Sequence, residues 1–216
     1  MSFSEILFLV AEMIGIVAFA LSGAMVAMNC RLDVFGIVML GVTTALGGGF
    51  IRDLIIGCTP PMMFRNPIYA IVAASTAFLL FLFARLRKSV YYRIEPHLEA
   101  LANIFDAIGL GVFTVIGMET GIRYGYGNNG FFLMFLSLMT CVGGGLLRDL
   151  FVQRMPGILH KHIYAVAALA GALAYLILYR QGVGELINTV ATIALVFLIR
   201  MLATHYRWNL PGIKEN

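Results

Sequence analysis

Long stretches of mostly apolar residues, each about 20 residues in length, follow one another along the chain. A membrane helix needs roughly 20 such residues to cross the hydrocarbon core. Of the 216 residues 61% are hydrophobic and only 12% are charged, whereas an ordinary soluble domain has roughly 25% charged residues. The sequence therefore predicts an all-α integral membrane protein.

Seven such stretches predict seven membrane helices. Six helices are the alternative, because the last stretch is short and begins with polar residues. The first stretch is too long for the apolar region of a signal peptide, so we expect it to be retained as a span. The predicted spans cover residues 6–28, 34–57, 66–86, 100–121, 130–152, 160–180 and 183–201.

The distribution of Lys and Arg predicts the orientation, because cytoplasmic loops carry an excess of these residues. An odd number of spans places the two termini on opposite sides of the membrane. We expect the N-terminus outside and the C-terminus in the cytoplasm, where the basic cluster from Arg85 to Arg93 contacts anionic lipid headgroups. The outer side has Arg65, Arg123 and Arg180, and the inner side has Arg31, Arg85, Arg87, Lys88, Arg93, Arg154, Lys161, Arg200, Arg207 and Lys214.

An internal repeat relates the two halves of the chain. Gly-Gly-Gly-Phe-Ile-Arg-Asp-Leu at 47–54 recurs as Gly-Gly-Gly-Leu-Leu-Arg-Asp-Leu at 143–150, an offset of 96 residues. Because each unit contains three spans, the second copy enters the membrane from the opposite side, which predicts an inverted repeat. We expect repeat one at about 5–90, repeat two at about 98–180 and an unrepeated seventh helix at about 183–201.

The repeated glycines lie near the middle of the second and fifth spans. A glycine inside a helix costs about 0.5–1 kcal/mol relative to alanine, so three in succession predict a kink or break that lines a wet cavity. Freed carbonyls and the hydroxyls of Thr44 and Thr140, three residues before each triplet, then predict an oxygen-rich ring for a cation. Close packing of helices is the alternative reason for these glycines. The triplets are Gly47, Gly48, Gly49, Gly143, Gly144 and Gly145.

Charged side chains inside the predicted spans form a second set of candidates. Because sequence neighbours do not face each other on a helix, we expect each Arg to pair with a residue of another helix, such as the Asp of the opposite repeat. These pairs have either a gating role or the structural role of docking the repeats. The carboxylates at 12 and 106 are repeat mates and are either proton or cation sites or groups solvated at the interface. The set is Arg52, Asp53, Arg148, Asp149, Glu12 and Asp106.

Other classes of function find no support in the sequence. The basic residues neither form one block nor alternate with aromatics, as a nucleic-acid groove requires. No catalytic triad, phosphate-binding loop or cofactor motif is present, so we expect neither an enzyme nor a resident cofactor, and no other protein partner is implied. Cys30, Cys58 and Cys141 lack disulfide or zinc spacing, and the two histidines of the 160–162 stretch point in different directions, so we expect no metal site.

The duplicated G-G-G-x-x-R-D-L motif, followed by a proline and the Ile-Tyr-Ala start of the next helix, resembles the prokaryotic branch of the trimeric intracellular cation (TRIC) channel family. The resemblance covers nearly the whole chain and is closest to bacterial members, some of which carry the name glycine transporter. It implies a seven-helix protomer in a homotrimer, embedded among the lipids of a bacterial or archaeal inner membrane. It further implies one pore per protomer for monovalent cations, chiefly potassium, between helices two and five, with Thr44, Ser137 and Thr140 as pore-facing hydroxyls.

The sequence departs from some relatives of that family. The Lys-Glu-Val signature of animal members is replaced in helix four by Gly-Met-Glu-Thr at 117–120, and a Thr-Val-Gly-Tyr-Gly filter is absent, so strong selectivity for potassium over sodium is not expected. A passive cation channel is the leading hypothesis. The alternative is a secondary transporter that moves glycine or another small amino acid by alternating access, and a membrane scaffold is the third hypothesis.

Overall fold

The computed structural model describes residues 3–160 and 163–208. This part of the chain is helical, which confirms the predicted all-α fold. Short helices at Met62–Arg65, Lys88–Ile94 and Gly157–His160, a 3₁₀ turn at Glu95–His97 and a π-helical turn at Ile122–Tyr126 lie in the connections. The seven long helices are α1 Phe3–Asn29, α2 Val34–Ile55, α3 Ile68–Leu86, α4 Leu98–Gly121, α5 Gly130–Phe151, α6 Tyr164–Arg180 and α7 Glu185–His205.

The long helices have the length and the surface of membrane spans. Six of those in the described residues are long and apolar enough to cross a membrane, and α6, with 17 residues, is a shorter apolar helix. Helix α6 begins at Tyr164 rather than at residue 160, the predicted start of the sixth span. Residues 161 and 162, which belong to the histidine-containing stretch 160–162, lie outside the described residues. Phe131 is 84% exposed and Phe35 is 70% exposed, as side chains that face lipid are.

Matching caps begin α2 and α5. The Asp33 carboxylate accepts a hydrogen bond from the Gly36 N–H at 2.8 Å, and the Asn129 side chain accepts one from the Phe132 N–H at 3.1 Å. Such caps satisfy amide groups that have no partner within the helix. The two capping residues are 96 residues apart, so the repeat extends to the helix starts.

The helices pack with α2 and α5 at the centre. α1, α2, α5 and α4 form a ring in which each helix contacts the next. α3 packs against α1 and α2, and α6 packs in the corresponding way against α4 and α5. α7 packs against α4 and α6 and has no counterpart in the first half. The arrangement of the first six helices is that of two inverted three-helix repeats.

The connections lie on two faces of the helix bundle. The basic face contains connections 30–33, 87–97 and 152–160 and the end of α7, and the opposite face contains connections 56–67, 122–129 and 181–184. Arg200 was expected among the loop cations of the basic face, but it lies inside α7 and is only 2% exposed. Lys161 and Lys214 lie outside the described residues. The direction in which the chain crosses the membrane stays a prediction.

Candidate functional site at the crossing of α2 and α5

The two glycine triplets meet where α2 crosses α5. A Cβ atom added to Gly48 would collide with the carbonyl oxygen of Thr140, and one added to Gly144 would collide with that of Thr44. The two helices therefore touch through their backbones. Both α2 and α5 are continuous α-helices through the triplets, so the predicted break is wrong. The close packing offsets the weak helix propensity of glycine, and the carbonyls keep their helical hydrogen bonds.

The first glycine of each triplet receives a large side chain of the other helix. A Cβ atom on Gly47 would lie 2.6 Å from Cδ1 of Leu147, and one on Gly143 would lie 3.0 Å from Cδ1 of Ile51. Leu147 and Ile51 are repeat mates, 96 residues apart. The contacts on the two sides of the crossing are thus related by the pseudo-twofold axis of an inverted repeat.

Three hydroxyl side chains lie completely buried beside the crossing. Thr44 Oγ1 donates to the Leu40 carbonyl at 2.6 Å, and Thr140 Oγ1 donates to the Leu136 carbonyl at 2.7 Å. The Ser137 hydroxyl donates to a carbonyl of α4 at 2.7 Å. Because each proton is used in this way, the oxygen lone pairs remain as acceptors. In this conformation the helices enclose all three hydroxyls, and their role as pore-facing groups stays a prediction.

Glycines of α1 and α4 make room for these hydroxyls. A Cβ atom on Gly23 would collide with Thr44 Oγ1, and one on Gly117 would lie 3.0 Å from Thr140 Oγ1 and 2.5 Å from the Ser137 Cα. Gly23 and Gly117 are repeat mates at an offset of 94. The crossing is therefore packed against all four helices of the central ring.

Each arginine of the repeated motif pairs with the aspartate that follows it. Arg52 Nη2 lies 2.7 Å from Asp53 Oδ1, and Arg148 Nε lies 2.9 Å from Asp149 Oδ1. Among the described ion pairs, neither arginine pairs with the motif aspartate of the opposite repeat, but the predicted partner on another helix is present for Arg148, which lies 2.6 Å from Asp106 Oδ1 of α4. Both pairs lie in the last turn of a helix, where the long arginine side chain turns back to reach its neighbour.

The second oxygen of each aspartate binds the next connection. Asp53 Oδ2 accepts a hydrogen bond from the Met62 N–H at 2.8 Å, and Asp149 Oδ2 accepts one from the Gly157 N–H at 2.8 Å. Both donor amides lie at the start of a short helix, where the backbone N–H groups have no helical partner. The motif thus fastens the ends of α2 and α5 to the connections that follow them. Its predicted roles, docking of the repeats or gating, stay predictions.

A polar cavity of about 350 Å³ opens on the basic face. At its inner end Arg148 Nη1 donates to Asp106 Oδ1 of α4 at 2.6 Å and to Ser22 Oγ of α1 at 2.9 Å. Arg148 therefore does reach other helices, one of which belongs to its own repeat. A Cβ atom on Gly145 would lie 3.2 Å from the hydroxyl of Tyr164, which lines this cavity.

Arg200 and Asn103 line this cavity, although the sequence did not identify them as site residues. Arg200 Nη2 donates to Asn103 Oδ1 at 2.6 Å, and the Arg200 Cζ lies 4.7 Å from the centre of the Tyr164 ring. A signal for Arg200 existed, because a charged residue inside an apolar span is a candidate by default. Arg200 lies one residue before the predicted end of the seventh span, at residue 201, and this position predicts a loop cation. Nothing in the sequence distinguishes Asn103 from other polar residues near helix starts.

A smaller cavity of about 30 Å³ lies in the first repeat, at the position equivalent to that of the large cavity and towards the opposite face. It has room for about one water molecule. Gly49 lines it, and its repeat mate Gly145 lies next to Tyr164 of the large cavity. Its charged and tyrosine side chains are repeat mates of those in the large cavity, namely Glu12, Arg52, Asp53 and Tyr69. One charged cavity thus lies at each end of the crossing, and the two differ greatly in volume.

Glu119, the acidic residue noted in helix four, lies away from the crossing. Its Oε1 accepts hydrogen bonds from the Tyr175 hydroxyl and from Thr189 Oγ1, both at 3.3 Å. Arg123 Nη2 lies 3.7 Å from its Oε2. The residue 94 positions earlier is Met25, so the first repeat has no equivalent. Glu119 connects α4 to α6 and to the unrepeated α7.

A known protein family matches both halves of the chain. A family model described as Glycine transporter matches residues 9–85 and 103–180. The UPF0126 inner membrane protein YadS of Escherichia coli (strain K12) is 31% identical over 209 residues, which cover 95% of this chain and 96% of that protein. The sequence similarity thus extends over nearly the whole chain.

Solved structures of TRIC channels share the fold. A TRIC cation channel described in a study of conductance matches with a TM-score of 0.82 and 33% identity, over 100% of this chain and 99% of that chain. The TRIC trimeric intracellular cation channel orthologue from Rhodobacter sphaeroides matches with a TM-score of 0.83 and 32% identity, over 94% and 99% of the two chains. The chain belongs to the prokaryotic TRIC family. As a TRIC-family protein with apolar spans and inner-membrane relatives, it is an integral membrane protein of the inner membrane.

Proposed function

We propose that this TRIC-family protein is a channel for monovalent cations, chiefly potassium, with a pore in each protomer between α2 and α5. The observation that carries the proposal is the glycine crossing with a charged cavity at each end. Backbone contact at the crossing closes the path, and separation of the two helices joins the cavities. The likeness to solved TRIC cation channels supports this function.

Oxygen atoms are the groups that the separating helices present to the ion. The carbonyls of Thr44 and Thr140 face the glycines of the other helix, and the hydroxyls of the same residues keep their lone pairs. Neutral oxygens of this kind replace part of the hydration shell of a monovalent cation without trapping it. Potassium and sodium are then both permeant, and the protein holds no resident cofactor.

The arginine–aspartate pairs form the rims of the pore. Asp149 uses one oxygen for Arg148 and the other for the Gly157 amide, so both are already occupied by donors. Asp53 is occupied in the same way. These carboxylates therefore hold the helix ends in place and leave the ion to the neutral oxygens of the crossing.

The pore acts within a larger assembly. We propose a homotrimer in which each protomer keeps its own pore, surrounded by membrane lipids. The orthologue from Rhodobacter sphaeroides is described as trimeric. The basic face lies in the cytoplasm and the N-terminus outside, in line with the distribution of Lys and Arg.

A second candidate function is secondary transport of glycine. The unequal volumes of the two cavities favour this function. The cavity on one face has about 350 Å³ and the cavity on the other about 30 Å³, as expected for a transporter that is open to one side at a time. Paired cationic and anionic side chains in the large cavity also match the two charges of a zwitterion. In this mechanism, the crossing of α2 and α5 is the hinge rather than the pore.

Flux into proteoliposomes separates the two functions. A channel lets radioactive rubidium enter potassium-loaded vesicles without saturation, and external glycine leaves the rate unchanged. Saturable glycine uptake driven by a proton or sodium gradient, with no rubidium entry, would establish the transporter and reject the channel. Vesicles without protein provide the baseline.

A further inference from the structure

A pocket lined with basic side chains lies on the basic face, away from the crossing of α2 and α5. It has a volume of about 320 Å³ and is formed by the ends of α1 and α3, the start of α2 and the short helix Lys88–Ile94. We call it the basic pocket. Its cationic side chains are Arg31, Arg85 and Lys88, and Tyr91 and Tyr92 also line it.

Within the described part of the chain, no acidic side chain pairs with the cations of this pocket. None of its lining residues is acidic. Among the described ion pairs, none involves Arg31, Arg85 or Lys88. Three like charges around one pocket repel one another unless an anion enters between them. The pocket therefore has the electrostatic character of an anion site.

The basic pocket lies at the level of the membrane where lipid headgroups are expected. It lies where membrane helices end, and its floor is apolar, with Ile37 buried and Phe81 partly buried. Leu86 is 71% exposed and Tyr92 is 66% exposed, on either side of the start of the short helix. Exposed aliphatic and aromatic residues among basic ones are typical of a segment at the membrane interface.

The second repeat lacks a cation at two of the three equivalent positions. Arg31 has a φ of 56°, and Gly125, its mate at an offset of 94, has a φ of 87°. Both repeats thus require a left-handed residue, which glycine supplies without strain and arginine does not. At the offset of 95 that relates α3 to α6, Lys88 corresponds to Val183, whereas Arg85 corresponds to Arg180. The repeated fold therefore does not require the cations at positions 31 and 88.

We propose that the basic pocket binds the phosphate group of an anionic phospholipid. The two arginines and the lysine surround the phosphate, and the tyrosine hydroxyls are further hydrogen-bond donors. The acyl chains extend along the exposed apolar face of α3, where Leu79 and Phe83 are exposed. The bound lipid joins the α1–α2 connection to α3 and to the short helix. This site does not depend on the channel function.

Lipid titration with matched charge variants tests the site. Delipidated protein in detergent is titrated with phosphatidylglycerol or phosphatidylcholine, and bound lipid is counted by native mass spectrometry. We expect tighter binding of phosphatidylglycerol, and a loss of about 30-fold in the double variant Arg31→Gln/Arg85→Gln, since each surface cation contributes roughly a fivefold factor. The control, Arg87→Gln/Arg93→Gln, removes two charges from the same face but outside the pocket and keeps wild-type affinity.

The other outcomes overturn the proposal in different ways. Equal losses in both double variants would show that only the general surface charge attracts the lipid. Displacement of phosphatidylglycerol by inorganic phosphate at millimolar concentration would assign the pocket to a soluble phosphate compound. Should the first double variant fail to fold, the single variants Lys88→Gln and Arg93→Gln make the same comparison. We then expect a loss of about fivefold for Lys88→Gln alone.

Discussion

The Cα atom of Gly144 lies against the carbonyl oxygen of Thr44, so closely that a Cβ atom at this position would collide with that oxygen. Gly48 makes the equivalent contact with Thr140, in the opposite direction. The point between the two charged cavities is thus a contact of two backbones, with no side chain in between. In the proposed channel, the distance between α2 and α5 at this point decides whether the cavities are joined.

Alanine at position 144 forces α2 and α5 apart. The added methyl group overlaps the Thr44 carbonyl, and overpacking of this kind costs about 1–3 kcal/mol. Because the cost falls on the closed conformation, we expect Gly144→Ala to raise the open probability about fivefold or more. Single-channel recording in a planar bilayer measures this change.

Gly49→Ala is the matched control for that variant. A Cβ atom on Gly49 would meet only the Arg52 Nη2, at an ordinary distance of 3.7 Å. We expect an unchanged open probability. Equal effects of the two substitutions would mean that helix propensity, and not the contact at the crossing, determines opening.

Asp149→Asn weakens the rim of the large cavity. The variant loses the charge-assisted hydrogen bond from Arg148, while the Gly157 N–H keeps an acceptor. Because Asp106 still balances the arginine, we expect a loss of about 1.5–3 kcal/mol in stability, measured by thermal unfolding in detergent. Cation flux should persist.

Asp33→Asn makes the same chemical change at the start of α2. Asparagine caps helices as well as aspartate does, so we expect unchanged stability. Loss of cation flux in Asp149→Asn at wild-type stability would contradict the structural role of that carboxylate and would place it on the ion path.

Arg200 and Asn103 stabilise the contact between α7 and α4 as a pair. Nη2 of Arg200 donates to Oδ1 of Asn103 at 2.6 Å, and both side chains line the large cavity. A double-mutant cycle with Arg200→Gln and Asn103→Ala should give a coupling free energy of about 1.5–3 kcal/mol in unfolding experiments. Additive losses would show that the two residues act independently.

Glu119 acts as a hydrogen-bond acceptor between α4, α6 and α7. The carbonyl oxygen of a glutamine accepts from Tyr175 and Thr189 as the carboxylate does, so Glu119→Gln should keep wild-type stability. Glu119→Ala leaves both donors buried without an acceptor and should cost about 1–3 kcal/mol in thermal unfolding. A large loss in the glutamine variant would show that the charge, which faces Arg123, is essential.

The sequence determines much of this fold because the membrane restricts the alternatives. Apolar stretches of about 20 residues predict a bundle of membrane helices. An odd number of spans in each repeat makes the second repeat inverted relative to the first. The glycine triplets lie where α2 and α5 cross. The predicted break in these helices was wrong. The low helix propensity of glycine is outweighed when each glycine packs against the backbone of a partner helix.

Side-chain partners were harder to predict. The rule that adjacent residues do not face each other fails at helix ends, where Arg52 reaches Asp53 by turning its long side chain back. Arg200 was misplaced because the end of a span cannot be read from the sequence to within a few residues. Such partners depend on three-dimensional packing that apolar periodicity does not record.

Single-channel recording distinguishes an open cation pore from a transporter. Purified protein is inserted into a planar bilayer in potassium chloride, and glycine is then added under a fixed proton gradient. We predict discrete current steps that reverse at the potassium equilibrium potential when chloride is replaced by an impermeant anion, and that glycine does not alter. A silent bilayer, together with saturable glycine uptake by the same preparation in liposomes, would contradict the channel and establish alternating access.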